Sequence, residues 1–150
     1  MKPLFVLLSI FILSLVIIKF TQGVFDYSLA GRIAMAVMLG FTAIGHFAFT
    51  KGMTLMVPAF LPFKKQIVYL TGIFEIIAGV CLLIPSISVL AGWATILFFI
   101  VLLPGNIKAA MEHLDYEKGT YDGKGPSYLW IRVPMQVLFI GWVYVSAILG

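Results

Sequence analysis

Glu75 lies inside an otherwise apolar stretch, Ile67 to Ile84. A carboxylate in such a segment costs roughly 2.5–3.5 kcal/mol on membrane-insertion scales unless it is protonated or paired. It therefore predicts a buried partner. His46, Asn106, Arg132 and Gln136 occur in or at the ends of other apolar segments, and their chemistry is definable. A carboxyl group and an imidazole can share or transfer a proton, a guanidinium can neutralise a carboxylate, and two amides can satisfy carbonyls or a ligand's polar head. Each residue also has a plainer use. Glu75 and Arg132 can form a buried ion pair that fixes helix register. His46 can donate to a carbonyl or carboxylate. Asn106 follows Pro104-Gly105 and can serve carbonyls freed by the proline. Gln136 can make one interhelical hydrogen bond.

Other chemistries are not assembled. Haem ligation by two histidines needs His113, which falls in or beyond a polar loop, and Cys81 lies about two turns from Glu75 on the side away from both histidines. A single cysteine excludes an intramolecular disulfide and a Cys-x-x-Cys redox pair. There is no phosphate-binding glycine loop and no nucleophile elbow.

The elements that must carry these residues are membrane spans. With 62% hydrophobic and 11% charged residues, and a mean hydropathy of +1.11, the chain is excluded from the soluble globular class. Five apolar segments stand out, Leu4–Ile18, Leu29–Phe49, Ile67–Ile84, Ile87–Leu103 and Leu129–Leu149, each near the ~17–25 residues a crossing helix needs. Pro85-Ser86 makes the third and fourth antiparallel neighbours. The first reads as a retained signal anchor, because its apolar run is long and no small-x-small cleavage site follows it. The expected organisation is an N-terminal transmembrane helix and short loop over 1–28, then a four-helix membrane domain over 29–150.

Eight of the ten Lys and Arg residues fall on the side of the amino terminus, the 50–66 loop and the 108–128 loop, leaving Lys19 and Arg32 opposite. Basic loops stay cytoplasmic, so these three regions are expected there, in a cell membrane. The net charge of +4 points to topology and anionic lipid rather than nucleic acid. By depth, His46, Asn106, Arg132 and Gln136 all fall in the same half of the bundle, and with Glu75 they are expected to converge on one polar site. Gly72, Glu75 and Gly79 share one stripe, which places the carboxylate against a closely approaching helix. The segment Met53–Phe63, apolar and broken by Pro58 and Pro62, reads as an interfacial or re-entrant loop over that site. The segment Glu112–Ser127 reads as a mobile loop able to dock a partner.

These residues resemble the DoxX-like family of small integral membrane proteins, from about Gly31 to Trp142. The resemblance is carried by Gly45-His46-Phe47, Pro58, Pro62, Gly72-x-x-Glu75-x-x-x-Gly79, Leu83-Ile84-Pro85, Trp93, Pro104-Gly105-Asn106 and Trp130-x-Arg132-x-Pro134-x-Gln136. It implies an all-α four-helix transmembrane bundle, here preceded by one extra N-terminal helix, and an association with quinone-linked oxidoreductases. Gly105 stands where that pattern has alanine, and the first span lies outside it. The leading expectation is a non-catalytic accessory subunit of a membrane redox complex. Its pocket would bind a quinone-like or other amphipathic ligand through His46 and Arg132, with Glu75 as acceptor. The rivals are a membrane enzyme using His46 and Glu75 as a proton-transfer pair on a lipid-soluble substrate, and a membrane assembly factor whose loops recruit partners.

Overall fold

The computed structural model describes residues 2–150 and is all-helical apart from one isolated bridge between Asp115 and Thr120. The long helices are α1 (Lys2–Gln22), α2 (Tyr27–Ala48), α4 (Lys64–Leu82), α5 (Ser88–Met111) and α6 (Leu129–Val143). A short α3 (Thr50–Thr54) follows α2, a 3₁₀ turn (Pro126–Tyr128) leads into α6, and a π-helical segment (Tyr144–Leu149) extends it. Five helical units are long and apolar enough to cross a membrane, the last running from Pro126 to Leu149. The chain is a multi-pass membrane protein by this measure.

The core gathers where α2, α4, α5 and α6 meet, around Met35, Met38, Leu39, Leu82, Phe99, Phe139 and Val143. Asp26 starts α2 by accepting the Leu29 backbone N–H at 2.9 Å, which satisfies one of the open donors of the first turn. α1 lies along α2, with Leu7 buried and Phe11 edge-on to Trp142 of α6 at 4.9 Å. Where α2 begins and α6 ends, the Trp142 indole N–H donates to the Gly31 carbonyl at 3.0 Å and the Ser28 hydroxyl to the Ser146 carbonyl at 2.6 Å. A π-helical end shifts the carbonyl pairing by one residue, and Ser28 takes up one of those carbonyls.

Pro104 does not end its helix as the span boundary at Leu103 suggested. α5 runs through it to Met111. The proline removes one N–H and leaves the Ile100 carbonyl, four residues back, without its helical donor.

Three connections pack together at one end of the bundle. Lys2 of α1 pairs with Glu117 at 3.2 Å. The Lys108 ammonium, counted above only as a topology charge, donates to the Leu55 and Val57 carbonyls at 3.1 and 2.8 Å and holds the Met53–Phe63 segment against α5. Phe60 and Phe63 of that segment stay exposed. The Glu112–Ser127 segment is internally bonded rather than open. Asp115 accepts the Glu117 and Lys118 N–H groups, and the Gly123 N–H meets the His113 carbonyl at 2.6 Å. Gly125, at φ +79°, lies under the His113 ring, where a Cβ would collide with it. The amino terminus and both larger loops thus share one face, as the two crossings between each and the next require.

Gly52 of α3 packs directly on the Tyr116 carbonyl, with no room for a Cβ. Gly52→Val is expected to separate the two loops at an overpacking cost of about 1–3 kcal/mol. Limited proteolysis in detergent should then cut the 112–125 loop faster than in wild type, with helical circular dichroism unchanged. Unaltered cleavage would contradict this packing.

Candidate functional site

Glu75 is brought to α2 by the glycines of its own stripe. A Cβ on Gly72 would come within 2.9 Å of the His46 Cβ, and one on Gly79 within 3.1 Å of the Ala36 carbonyl oxygen. Without side chains at those two points, α4 settles backbone-close on α2. Glu75 is then 3% exposed and His46 9%, so their polar atoms depend on one another rather than on solvent.

Thr42 and His46 stand one turn apart on α2 and face the carboxylate together. The Thr42 hydroxyl lies 3.0 Å from Glu75 Oε1 and 3.0 Å from the Leu39 carbonyl. His46 Nδ1 lies 3.0 Å from the Thr42 carbonyl and 3.1 Å from Glu75 Oε2. Each donor atom carries one hydrogen, so two hydrogens face four oxygens. With the imidazole N–H turned to the Thr42 carbonyl, the fully buried Oε2 has no hydrogen-bond donor among the described residues; turned to Oε2, 3.1 Å away, the same N–H leaves that carbonyl to its helix. Such a shortage in low dielectric is costly. It is closed by the imidazole turning to Oε2, by a proton on the carboxyl group, or by a donor from a bound molecule.

The other three expected site residues do not join this cluster. Arg132 makes no ion pair with Glu75 among the described residues. Its Nη1 donates to Asn106 Oδ1 at 2.6 Å, and its guanidinium lies between the rings of Tyr116 and Tyr128, 5.7 and 5.6 Å from their centroids. Asn106 is therefore turned to α6 and not to the carbonyls near Pro104. Gln136 does not serve the Ile100 carbonyl that Pro104 frees; its amide donates to the neighbouring Phe99 carbonyl at 2.7 Å and ties α6 to α5. The single convergent pocket expected from sequence is corrected to two separate polar groups, Thr42–His46–Glu75 between α2 and α4 and Asn106–Arg132 between α5 and α6, with Gln136 as a backbone tie.

The physical reason is interhelical geometry. Spacing and depth say which face a residue occupies and how deep it lies, but not which neighbour meets that face. Thr42 was not singled out in the sequence, although its position one turn before His46 carried the signal. Tyr116 is separated from Arg132 by the loop and left no periodic trace, whereas Tyr128, four residues before Arg132, carried the one-turn signal. Burial pushes the Tyr116 phenol above its usual range, and the adjacent Arg132 charge pulls the other way. No group of three His, Cys, Asp or Glu side chains able to hold a metal occurs among the described residues.

Residues 35–147 match the family described as "Domain of unknown function (DUF8561)". The chain belongs to this family. The DUF8561 region contains both polar groups in full, from Thr42 to Gln136, and leaves α1 outside. No curated protein and no solved structure matches the chain.

Thr42→Val keeps the shape of the side chain and removes the hydroxyl that faces Oε1. It is expected to lower stability by about 1–3 kcal/mol, the cost of leaving a buried acceptor unpaired, whereas Thr42→Ser should retain most of it. Thermal unfolding of the detergent-solubilised variants measures the difference. Equal stability of Val and wild type would show that the hydroxyl does not serve the carboxylate.

Proposed function

We propose that this chain is a non-catalytic cell-membrane protein, DoxX-like in its sequence pattern, that binds the head of an amphipathic ligand at Glu75 and His46. A quinone-type lipid in its hydroxylated form fits best. The observation that carries the reading is the buried Oε2 of Glu75, which lacks a donor among the described residues whenever the imidazole N–H serves the Thr42 carbonyl. A ligand O–H supplies the missing hydrogen, and a charge-assisted bond of this kind contributes about 1.5–3 kcal/mol.

The apolar part of the ligand has a place on the same seam. On the lipid side of the α2–α4 contact, Ala36, Gly40, Ile76, Gly79 and Leu83 line a groove of about 220 Å³ whose walls are almost wholly apolar. Gly79 lies one turn along the face that carries Glu75. With Arg132 engaged elsewhere, Glu75 and His46 hold the head without it. An accessory role in a membrane redox complex follows from this ligand class and from the resemblance. The rival enzyme reading rests on the same pair, since the imidazole touches the carboxylate closely enough to exchange a proton.

Mass spectrometry of lipids and quinones co-purified in mild detergent tests the binding. A Cβ on Gly40 meets nothing within 4 Å, so Gly40→Leu fills the groove without displacing a helix. Glu75→Gln and Gly40→Leu should each lower the retained ligand about tenfold, the loss expected for roughly 1.4 kcal/mol. Full retention by Glu75→Gln would remove the basis of the proposal, and retention by Gly40→Leu alone would confine the ligand to its head contacts. Turnover of the extracted lipid by wild type, lost in Glu75→Gln, would favour the enzyme.

The proposed orientation follows the charge asymmetry, with the amino terminus and the 50–66 and 108–128 loops cytoplasmic. On a Cys81→Ala background, cysteines replacing Thr54 and Thr120 should resist an impermeant thiol reagent in intact cells. A cysteine replacing Ser28 should react. Labelling at position 120 from outside would invert the orientation.

A further inference from the structure

The end of the bundle that carries the larger loops holds four acidic side chains in its 112–125 segment, and three are already engaged. Glu117 pairs with Lys2 at 3.2 Å, Asp115 with Lys118 at 4.0 Å, and Asp122 accepts from Thr120. Glu112 is exposed and makes no ion pair among the described residues. Of the cations on the same end that meet no carboxylate among the described residues, two stand against Tyr128. The Lys124 ammonium sits 4.9 Å from the centre of the Tyr128 ring, and the Arg132 guanidinium lies 5.6 Å from the same centre.

Arg132 is held in one plane. Tyr116 and Tyr128 flank it, and Asn106 takes Nη1 at 2.6 Å. Nε and Nη2 form the remaining edge and have no hydrogen-bond partner among the described residues. A guanidinium edge of this kind is a preformed two-pronged donor whose geometry matches phosphate and carboxylate oxygens. Its setting selects between those anions. Trp130, 85% exposed, stands two residues away at the mouth of the last span, with Tyr128 beside it. Tryptophan and tyrosine at a span end mark the headgroup level of a bilayer, where the abundant anion is a lipid phosphate.

We propose that Arg132 and Lys124 bind the phosphate of an anionic lipid headgroup at the loop end of the last span. Arg132 offers its free edge to two phosphate oxygens, and Lys124 adds a second charge across the Tyr128 ring. The site shares no residue with the Glu75–His46 pair and stands whether or not that pair binds a ligand.

The test uses the full chain in mild detergent, exchanged into micelles doped with phosphatidylglycerol or with phosphatidylcholine of the same acyl chains, and read by native mass spectrometry. Wild type should retain phosphatidylglycerol about tenfold over phosphatidylcholine. Arg132→Lys keeps the charge and loses the planar edge, and Lys124→Gln removes an exposed charge that no fold contact needs. Each should cut the preference at least threefold, with thermal unfolding confirming that both variants are folded. Excess inorganic phosphate should leave the lipid adduct in place. Equal retention of the two lipids by wild type, or undiminished preference in both variants, would overturn the site. Displacement by inorganic phosphate would overturn the lipid as its ligand.

Discussion

A carboxyl group carried into the apolar interior of a membrane helix has no water to lean on, and that requirement organises the α2–α4 half of the bundle. Glu75 meets it by lying against the one turn of α2 that offers both a hydroxyl and an imidazole. The approach is possible only because Gly72 and Gly79 bracket it on the same face and leave α2 unobstructed at both points. Sequence, packing and polarity depend on one another here. A side chain at either glycine would hold the helices apart, and with them the only groups that face the carboxylate.

The α5–α6 half follows a different logic. Its internal tie is the Gln136 amide on the Phe99 carbonyl. A neutral amide suits that depth because it carries no charge to desolvate. The guanidinium of Arg132 instead sits where the helix leaves the span, among two tyrosines and an asparagine. Arginine at a helix end keeps its charge near the interface while its stem packs inward. This explains why the two charged residues of the expected ion pair do not meet. Each has found a cheaper local solution, and neither needs the other.

Much of this was legible in the sequence, and the boundary of legibility is physical. Hydropathy and breakers gave the five spans, and the Gly72–Glu75–Gly79 spacing gave the face on which α4 meets a neighbour. The breaker rule failed at Pro104, because an exposed proline costs a long apolar helix only one hydrogen bond and a local disturbance, which the helix survives. Convergence of five polar residues was inferred from shared depth, and depth is only one of the coordinates a contact needs. Thr42 escaped notice because a threonine in a membrane helix is usually satisfied by its own backbone, as its distance to the Leu39 carbonyl shows.

The same hydroxyl explains why the Glu75 site is poised rather than closed. Thr42 can give its hydrogen to Leu39 or to Glu75, and His46 can give its hydrogen to Thr42 or to Glu75. A purely structural ion pair would be more fully bonded, since each unmet acceptor at this depth subtracts from stability. Here every arrangement of the two hydrogens leaves two oxygens without a donor, and a backbone carbonyl satisfied within its helix tolerates that better than a carboxylate does. The two hydrogens are therefore best spent on Glu75, and the carboxylate lacks one only when the imidazole turns back to the Thr42 carbonyl. An arrangement that lacks one hydrogen in a dry site is complementary to whatever brings one. The closeness of α2 and α4, set by two glycines, keeps that choice of partners within one turn of α2 and away from solvent.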